Sequence, residues 1–201
     1  VTKLELGYSN RLSGSVPKEI KDLTELTYLN LSGGSIATVA TEIGDLSKLT
    51  YLNLSVNSLE SLPTGIGSFT SLTELYLQTQ RIAGNGYYHY ESTLTSLPEE
   101  IGNIATLEKL DLSNNGLTSL PVGIGNFTNL KELKLNNQDT RPNGVVTETL
   151  TSLPDQIGNI TSLEKLYLNN NGLMSLPNSI TNLDKAIEAR LQTAISSGAV
   201  Y

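Results

Sequence analysis

The sequence predicts an α/β solenoid, a horseshoe with a parallel β-sheet on its concave side and short helical segments on its convex side. The first observation is internal repetition: the stretch LEKLDLSNNGLTSLP at Leu107 recurs in altered form at Leu49 and at Leu163. The second is spacing, because the leading leucines at 26, 49 and 72 lie 23 residues apart. A fixed period of this size is typical of stacked units that bury their apolar sides against one another.

The first half of each unit, with the spacing LxxLxL, is predicted to be a β-strand. Its last two leucines are two positions apart, so in an extended chain both point to the same side. Stacked strands would align these leucines in a continuous apolar spine, to which each buried side chain contributes roughly 2 kcal/mol. The residues between the leucines would form the open face of the sheet.

The second half of each unit, LPxxIGNL, must return the chain to the next strand. We expect its Pro to start a turn or short helical segment and its Gly to end that segment. Its Ile and its Leu or Phe should face the spine. The whole pattern, L-x-x-L-x-L-x-x-N-x-L, resembles that of leucine-rich repeat proteins from Val1 to about Leu183.

The resemblance has two components. LSGSVP in the first unit resembles the plant-type repeat, whereas the later SLPxxIGNLxxL form is similar to repeats of bacterial surface or secreted proteins and of intracellular eukaryotic scaffolds. The resemblance implies a non-enzymatic domain that binds a partner, most often a protein, on its open face. It also implies that the Asn of each repeat bonds backbone groups of its own and the neighbouring turn.

We expect one elongated repeat domain over residues 1–183, with about seven repeats and with insertions near 81–93 and 139–149. The open spine at its first residues should be covered by a further segment or by another molecule. The second repeat is the least regular, because Gly34 stands at the Asn position and Ala40 at the Pro position. Water or an altered turn must then satisfy the backbone, and we expect local softness there.

Both insertions are predicted to be β-hairpins, because each holds an Asn-Gly pair (residues 85–86 and 143–144) followed by β-prone residues. Both inserted repeats carry Gln at the Asn position, Gln80 and Gln138, which fits an opened turn. One normal repeat separates the hairpins, so we expect them to lean together over Gly116. That would bring the run 87–90 near Val145 and Val146.

After Ile180 the apolar period changes to that of a helix, with apolar residues near i, i+3, i+4 and i+7. Residues 184–201 are therefore predicted to be a C-terminal capping helix and tail that cover the end of the spine. The alternative is that the apolar stripe of this helix is itself a partner site.

Composition argues against several functions. The chain of 201 residues has no cysteine and one histidine, His89, so we expect no catalytic site, no metal ion and no cofactor. Its formal net charge of −7 argues against nucleic acid and anionic membranes as partners. It contains no apolar run long enough to insert in a membrane, and no leader peptide is visible.

The candidate partner-binding residues lie on the open face and in the first insertion. Tyr is favoured because it offers contact area at low entropic cost, although aromatic residues also favour strands for structural reasons. The candidates are Tyr28, Tyr51, Tyr76, Tyr167, Asn30, Asn53, Tyr87, Tyr88 and Tyr90. The face also carries Glu132 and Lys134, which we expect to pair with Lys109 and Asp111 across the sheet.

The function predicted from the sequence is a monomeric, non-enzymatic module that binds a protein through its concave face and the two hairpins. One alternative is a structural or adhesive module on a cell surface, with a glycan or matrix partner. Another is the substrate-recognition domain of a larger enzyme. The predicted location is extracellular or at the cell surface, and the alternative is cytoplasmic.

Overall fold

The structure is a computed structural model that describes residues 1–8, 12–83, 90–140 and 148–183. The strands of these ranges, in chain order, are β1 (Lys3–Glu5), β2 (Ser13–Val16), β3 (Tyr28–Asn30), β4 (Ser35–Val39), β5 (Tyr51–Asn53), β6 (Glu74–Tyr76), β7 (Arg81–Ala83), β8 (Tyr90–Ser92), β9 (Lys109–Asp111), β10 (Glu132–Lys134), β11 (Asp139–Thr140), β12 (Glu148–Thr149) and β13 (Lys165–Tyr167). Seven of them form one parallel sheet in the order β1-β3-β5-β6-β9-β10-β13, one strand from each repeat. The predicted fold class, a solenoid with a parallel sheet, is confirmed. Repeats are numbered 1 to 7 below, in the order of these strands.

The apolar spine runs behind this sheet. The central leucines of neighbouring strands are in register, for example Leu52 with Leu75 and Leu75 with Leu110. These leucines, and Leu133 after them, are fully buried. The two-residue alternation of LxxLxL therefore has the predicted effect, with one side of each strand packed in the core and the other on the open face.

Short 3-10 helices form the opposite side of the solenoid. They span Lys18–Asp22, Thr41–Asp45, Thr64–Ser68, Glu99–Asn103, Val122–Asn126, Asp155–Asn159 and Asn178–Asn182. In every repeat but the second, a Pro in extended conformation immediately precedes the helix, as at Pro63 and Pro98. The prediction that Pro starts the return segment is confirmed, because its fixed φ suits the residue before a helical turn.

The expectation that Gly ends these segments is wrong. Gly102 lies inside its 3-10 helix, where an added Cβ would sit 1.8 Å from the carbonyl oxygen of Gly123. Gly44 faces Gly65 in the same way, at 2.0 Å. Gly is therefore used because neighbouring return segments stack with their backbones in contact, which leaves no room for a side chain.

The irregular second repeat is explained by an additional parallel strand pair, β2 with β4, which the sequence did not predict. The N–H of Ser35 donates to the carbonyl of Leu12 at 2.6 Å, and an added Cβ on Gly34 would lie 2.6 Å from that carbonyl oxygen. Asn57 of the next repeat accepts from the N–H of Ile36 at 3.1 Å. The backbone around Gly34 is thus satisfied by strand pairing and close packing, in place of the water or altered turn that was expected.

Each predicted hairpin has an antiparallel stem. Strand β7 pairs with β8, and β11 pairs with β12. The Asn-Gly turns between them, and the capping helix predicted over 184–201, lie outside the described residues. Strands β8 and β11 approach each other, with Cα atoms of the two strands within 8 Å, so the two stems are neighbours on the same edge of the solenoid.

Gln replaces Asn in the inserted repeats while keeping the same hydrogen-bonding function. Asn57 accepts from Ile36 N–H and donates to the carbonyls of its own repeat and the preceding one. Gln80 does the same, accepting from Leu59 N–H at 3.1 Å. Asn115 occupies the same position in the next repeat but accepts from Gln80 N–H at 2.8 Å. The residue equivalent to Ile36 and Leu59, which would donate this bond, is Ile82, and it lies in strand β7 of the hairpin stem.

The second insertion repeats this arrangement. Gln138 accepts from Leu117 N–H at 3.1 Å, and Asn171 accepts from Gln138 N–H at 3.0 Å. Gln80 and Gln138 thus reach the same kinds of partner as Asn57, although the backbone at both Gln positions leaves the solenoid to enter a hairpin. We infer that the additional methylene group of Gln spans the longer distance to those partners.

A candidate binding face on the parallel sheet

The candidate binding face is the outer surface of the seven-stranded sheet. In each strand the first and third residues flank the central Leu and point away from the spine. Because the strands pair in register, these residues form two columns. The first column contains Lys3, Tyr28, Tyr51, Glu74, Lys109, Glu132 and Lys165. The second contains Glu5, Asn30, Asn53, Tyr76, Asp111, Lys134 and Tyr167.

Three of the predicted tyrosines form a continuous row, here called the tyrosine row: Tyr28, Tyr51 and Tyr76. The rings of Tyr28 and Tyr51 are stacked, with centroids 4.3 Å apart and planes 6° apart. The rings of Tyr51 and Tyr76 are tilted by 42° with centroids 5.3 Å apart. All three side chains are half-buried. Stacking fixes their orientation, so the row is a rigid surface rather than three separate side chains.

The ring faces within the row are largely occupied. The ammonium group of Lys3 lies 4.4 Å from the ring centroid of Tyr28, on the strand preceding it, and Tyr51 stacks on the same ring from the strand that follows. Tyr51 itself lies between Tyr28 and Tyr76. The row therefore presents ring edges and hydroxyl groups outward more than ring faces.

Two hydroxyl groups of the row, those of Tyr28 and Tyr76, are held in the neutral form. Burial, together with a hydrogen bond to Glu5, raises the pKa of Tyr28 to about 12. Burial also raises the pKa of Tyr76, whose hydroxyl donates to Glu74 at 2.7 Å. Burial opposes ionisation of Glu74, but the hydrogen bonds from Tyr76 and Lys109 outweigh it and lower the pKa of this carboxyl. At neutral pH Tyr28 and Tyr76 are therefore phenols, and Glu74 beside Tyr76 is ionised and paired.

The two predicted asparagines have structural bonds as well as exposed groups. Asn30 Oδ1 accepts from Ser32 N–H at 3.0 Å, and Asn53 Oδ1 accepts from Ser55 N–H at 2.9 Å. The amide group of Asn30 also donates to Glu5, and that of Asn53 lies 3.4 Å from the Tyr51 hydroxyl. Both residues thus shape the turn after their strand, and Asn53 keeps donor capacity beside the tyrosine row.

The C-terminal half of the face is charged and internally paired. Lys109 contacts Glu74 at 3.0 Å, and Lys134 contacts Asp111 at 3.3 Å, so the expected pairing of Lys134 with Asp111 is confirmed. Glu132 pairs with Lys134 at 3.3 Å and with Lys165 at 3.8 Å. The pairs of Lys109 with Glu74 and of Lys165 with Glu132 are partly exposed, and pairs of that kind contribute little stability each, whereas Asp111 is buried. Together, the pairs leave this half of the face with its charges mutually compensated.

Of the remaining predicted tyrosines, Tyr167 is not part of the tyrosine row. Tyr167 lies on β13, at the far end of the sheet, with the Lys134 ammonium group 6.0 Å from its ring centroid. Tyr90 is the first residue of β8, in the first hairpin stem. Tyr87 and Tyr88 lie outside the described residues.

A third column, here called the edge column, was not predicted from the sequence. It lies three residues after the last residue of each strand of the sheet. It occupies the same position in every repeat, and its backbone is left-handed, with φ between 52° and 76° for the seven residues. The column consists of Tyr8, Gly33, Val56, Thr79, Asn114, Asn137 and Asn170. The recurrence of Gly and Asn seven residues after the leading Leu was a usable signal, because these residues tolerate left-handed backbone.

The C-terminal part of the edge column is also internally bonded. The amide of Asn137 donates to Asn114 Oδ1 at 3.0 Å, and the amide of Asn170 donates to Asn137 Oδ1 at 2.6 Å. The composition of the edge column thus changes between repeats 4 and 5. Repeats 1, 3 and 4 carry Tyr8, Val56 and Thr79 there, repeat 2 carries Gly33, and repeats 5 to 7 carry asparagines that bond one another.

Within the described ranges, no cluster of His, Asp or Glu is arranged to hold a metal ion. The same ranges contain no helix that is long and apolar enough to cross a membrane.

Sequence comparisons agree with the repeat structure. Family models match residues 24–82 (Leucine rich repeat), 105–142 (Leucine Rich repeats, 2 copies) and 162–183 (Leucine Rich Repeat). Together the matches span more than half of the chain, and they coincide with repeats whose strands form the sheet. The chain belongs to the leucine-rich repeat proteins. A search of curated proteins finds no match.

Solved structures of other leucine-rich repeat proteins are similar to this one. A leucine-rich repeat protein of Leptospira interrogans is 32% identical, with a TM-score of 0.67 over 94% of this chain and 48% of the other. The plant peptide hormone receptor RGFR1, solved in complex with RGF2, is 30% identical, with a TM-score of 0.55 over 92% of this chain and 31% of the receptor. TLR13 in its ssRNA13 complex is 24% identical, with a TM-score of 0.70 over 90% of this chain and 23% of TLR13, and shows the shared fold alone. This chain therefore spans less than half the length of each of these proteins.

Proposed function

We propose that this leucine-rich repeat protein is a non-enzymatic module that binds another protein through the tyrosine row and Asn53. The observation that carries the proposal is the contiguous row of Tyr28, Tyr51 and Tyr76, in which the first two rings stack and the third is tilted against the second. Rigid, half-buried tyrosines lose little entropy on binding and are enriched among the residues that dominate protein interfaces.

The division of the face supports the same location. Charged groups of the C-terminal half already have partners within the sheet, such as Asp111 for Lys134. A binding partner would have to break or desolvate these pairs, which costs free energy. The rings of the tyrosine row form no ion pair, so a partner on them meets the Glu74–Lys109 pair at the end of the row but not the pairs of repeats 5 to 7. A partner is therefore expected to cover repeats 2 to 4 and to leave the charged half at its margin.

The arrangement of the rings favours a protein over a glycan or a nucleic acid. Binding of single-stranded nucleic acid uses open aromatic faces on which bases stack. A sugar ring packed on tyrosine would require an open face in the same way. In the row these faces are occupied by Lys3 and by the neighbouring tyrosines. Hydroxyls and ring edges instead suit the main chain and polar side chains of a protein, and the net charge of −7 also disfavours nucleic acid.

Two further points belong to the proposal. The peptide hormone receptor that is 30% identical to this chain was solved in complex with RGF2, which supports binding of a polypeptide by this chain. We expect a location outside the cell or at its surface, as predicted from the sequence. The two hairpins extend the surface along its edge, since their stems at β8 and β11 are neighbours. We expect the protein to be a monomer, because the proposed binding surface receives a different protein and not a second copy of this chain.

The test is to identify a partner by affinity capture and mass spectrometry and then to measure its binding in purified form. Tyr51→Ala should weaken binding at least tenfold, because it removes the central ring of the row. Tyr167→Ala is the matched control and should change binding less than twofold. Both variants should keep the melting temperature of the parent within a few degrees.

Equal losses from the two substitutions would contradict the proposed location. A glycan array on the same protein provides a second test. Binding of a glycan that depends on Tyr51 would contradict the choice of a protein partner.

A further inference from the structure

We propose that the partner surface turns from the tyrosine row over the edge of the sheet onto Tyr8, Val56 and Thr79, and that it receives an extended, uncharged peptide segment. This inference rests on the proposed function and adds the chemistry of the partner. Three observations lead to it: backbone strain in the edge column, two buried oxygens beside it without hydrogen-bond partners, and a composition of the edge column without acidic or basic residues.

The strain lies at Val56 and Thr79. Both have left-handed backbone, with φ of 54° and 65°, although their β-branched side chains disfavour it. The same column uses Gly33 or Asn in repeat 2 and in repeats 5 to 7, so the fold itself does not require a β-branched residue there. Strained backbone of this kind concentrates at functional positions. These two residues belong to the repeats that carry Tyr51 and Tyr76.

Two unpaired oxygens lie beside the edge column in the same part of the chain. Ser32 Oγ and Gln78 Oε1 are buried without a hydrogen-bond partner, and a third such oxygen, Ser179 Oγ, lies away from the edge column in the last 3-10 helix. Ser32 and Gln78 each directly precede an edge-column residue, in repeats 2 and 4. The equivalent hydroxyl in repeat 5, on Ser113, donates to Asp111 at 2.6 Å. Beside the edge column, repeats 2 to 4 thus carry both strained backbone and unpaired oxygens.

The first hairpin enters at the same place. The N–H of Arg81, the first residue of β7, donates to the carbonyl of Asn57 at 2.8 Å, and Ser58 Oγ donates to the carbonyl of Arg81 at 3.1 Å. The stem of this hairpin is therefore anchored immediately beyond Val56 and Thr79. The edge column lies between the tyrosine row and the stem, which makes a bounded strip rather than an open surface.

The shape and chemistry of this strip fit an extended peptide. From Tyr8 to Thr79 it crosses repeats 1 to 4, three strand spacings or about 14 Å, which an extended segment covers with four or five residues. Tyr8 is 70% exposed, and its ring lies against Gly33, where an added Cβ would meet the ring at 2.5 Å. Such a segment could place alternate side chains towards the edge column and present main-chain groups to the hydroxyls of the row. No acidic or basic residue occurs in the edge column, so charge on the segment would have no counterpart there.

The experiment uses a displayed library of random twelve-residue peptides, selected on the full chain, with the most enriched peptide synthesised and its Kd measured by fluorescence anisotropy. Val56→Asn and Thr79→Asn place a residue that tolerates left-handed backbone at each strained position. Each should raise the denaturant midpoint and yet weaken the peptide about tenfold. Asn137→Gly, in the C-terminal part of the same column, is the matched control and should leave the Kd unchanged.

The outcomes separate this inference from the proposed function. If Tyr51→Ala weakens the peptide while Val56→Asn and Thr79→Asn do not, the edge column is not part of the surface, and the proposed function stands without it. If none of the three variants weakens the peptide, both fail. Selection of basic peptides whose binding disappears at high salt, or no enrichment over the bare support, would overturn the inference of an uncharged peptide. Binding of the captured protein partner would then test the proposed function by itself.

Discussion

At the scale of single residues, the central Leu of each strand stabilises the fold more than the residues beside it. Leu110 is fully buried and in register with Leu75 and Leu133, so it contacts the spine of the repeats on both sides. Its neighbour Lys109 is exposed on the other side of the strand, where it pairs with Glu74. One strand therefore offers a buried and an exposed position one residue apart.

Leu110→Ala should lower the free energy of unfolding by about 2–5 kcal/mol, because it leaves a cavity in a close-packed spine. Lys109→Ala should change it by less than about 1 kcal/mol, since only an exposed ion pair is lost. Denaturant titration of both variants measures the difference. Equal unfolding free energies for the two would contradict the assignment of the spine.

Gln80 illustrates a residue whose length matters as well as its polarity. Its amide satisfies the buried N–H of Leu59 and the carbonyls of Leu54 and Leu77. Shortening it by one methylene group should leave the Leu59 N–H without an acceptor. The nearby Gln78 offers a contrast, because its Oε1 has no hydrogen-bond partner to lose.

Gln80→Asn should therefore destabilise the protein by about 1–3 kcal/mol, the cost of an unsatisfied buried donor. Gln78→Asn should change the unfolding free energy by less than about 0.5 kcal/mol. Urea unfolding of the two variants, each compared with the parent, is the measurement. A Gln80→Asn variant as stable as the parent would show that the additional methylene group has no structural role.

The sequence predicted these residues to different extents. Burial of Leu110 followed from the two-residue period, and the strand spacing placed Tyr28 beside Tyr51, although it did not predict that their rings stack. The change of partner at Asn115 did not follow, because it depends on where the hairpin removes a backbone N–H. The left-handed backbone of Val56 could not be predicted either, because a β-branched residue favours an extended conformation.

At the scale of elements, the return segments couple neighbouring repeats more closely than their length suggests. Gly102 allows two 3-10 helices to stack with their backbones in contact. The carboxylate of Glu99 accepts from the N–H groups of Val122 and Gly123 at the start of the next helix, at 3.2 and 2.6 Å. An acid in one return segment thus caps the helix of the following one, at the end where a negative charge is favourable.

The helix positions could be predicted from Pro, whereas the reason for Gly could not. Pro acts on its own residue through a fixed φ, so it is visible in one repeat read alone. The contact that requires Gly is made with another repeat, about 20 residues later in the chain, and appears only when repeats are stacked. The β2–β4 pair was not predicted either, because it also joins two different repeats and neither strand alone shows an alternation of apolar residues.

At the scale of the whole molecule, the solenoid has two halves with the same backbone and different surfaces. Repeats 2 to 4 carry the tyrosine row and the strained part of the edge column, and repeats 5 to 7 carry paired charges and the mutually bonded asparagines of the edge column. The period in the sequence predicted the backbone of both halves, and the pairing of Lys134 with Asp111 across the sheet was also predicted. The bonds among the asparagines were not predicted, because the edge column was not recognised in the sequence.

The two hairpins lie at the boundary between these halves, and their relation can be tested directly. Strands β8 and β11 are within 8 Å of each other, although one uninterrupted repeat separates their roots. An isolated two-stranded hairpin is marginally stable in water, so each is expected to gain order from contact with the other.

Deletion of residues 82–91 should therefore increase amide hydrogen exchange over residues 139–149, while exchange of the buried strands β9 and β10 stays unchanged. The reciprocal deletion of residues 141–147 should increase exchange over residues 81–92. Exchange followed by mass spectrometry on the parent and both deletion variants measures this coupling. Unchanged protection in the remaining hairpin of both variants would mean that the two stems are neighbours without supporting each other, and the proposed joint surface would be reduced to the tyrosine row and the edge column.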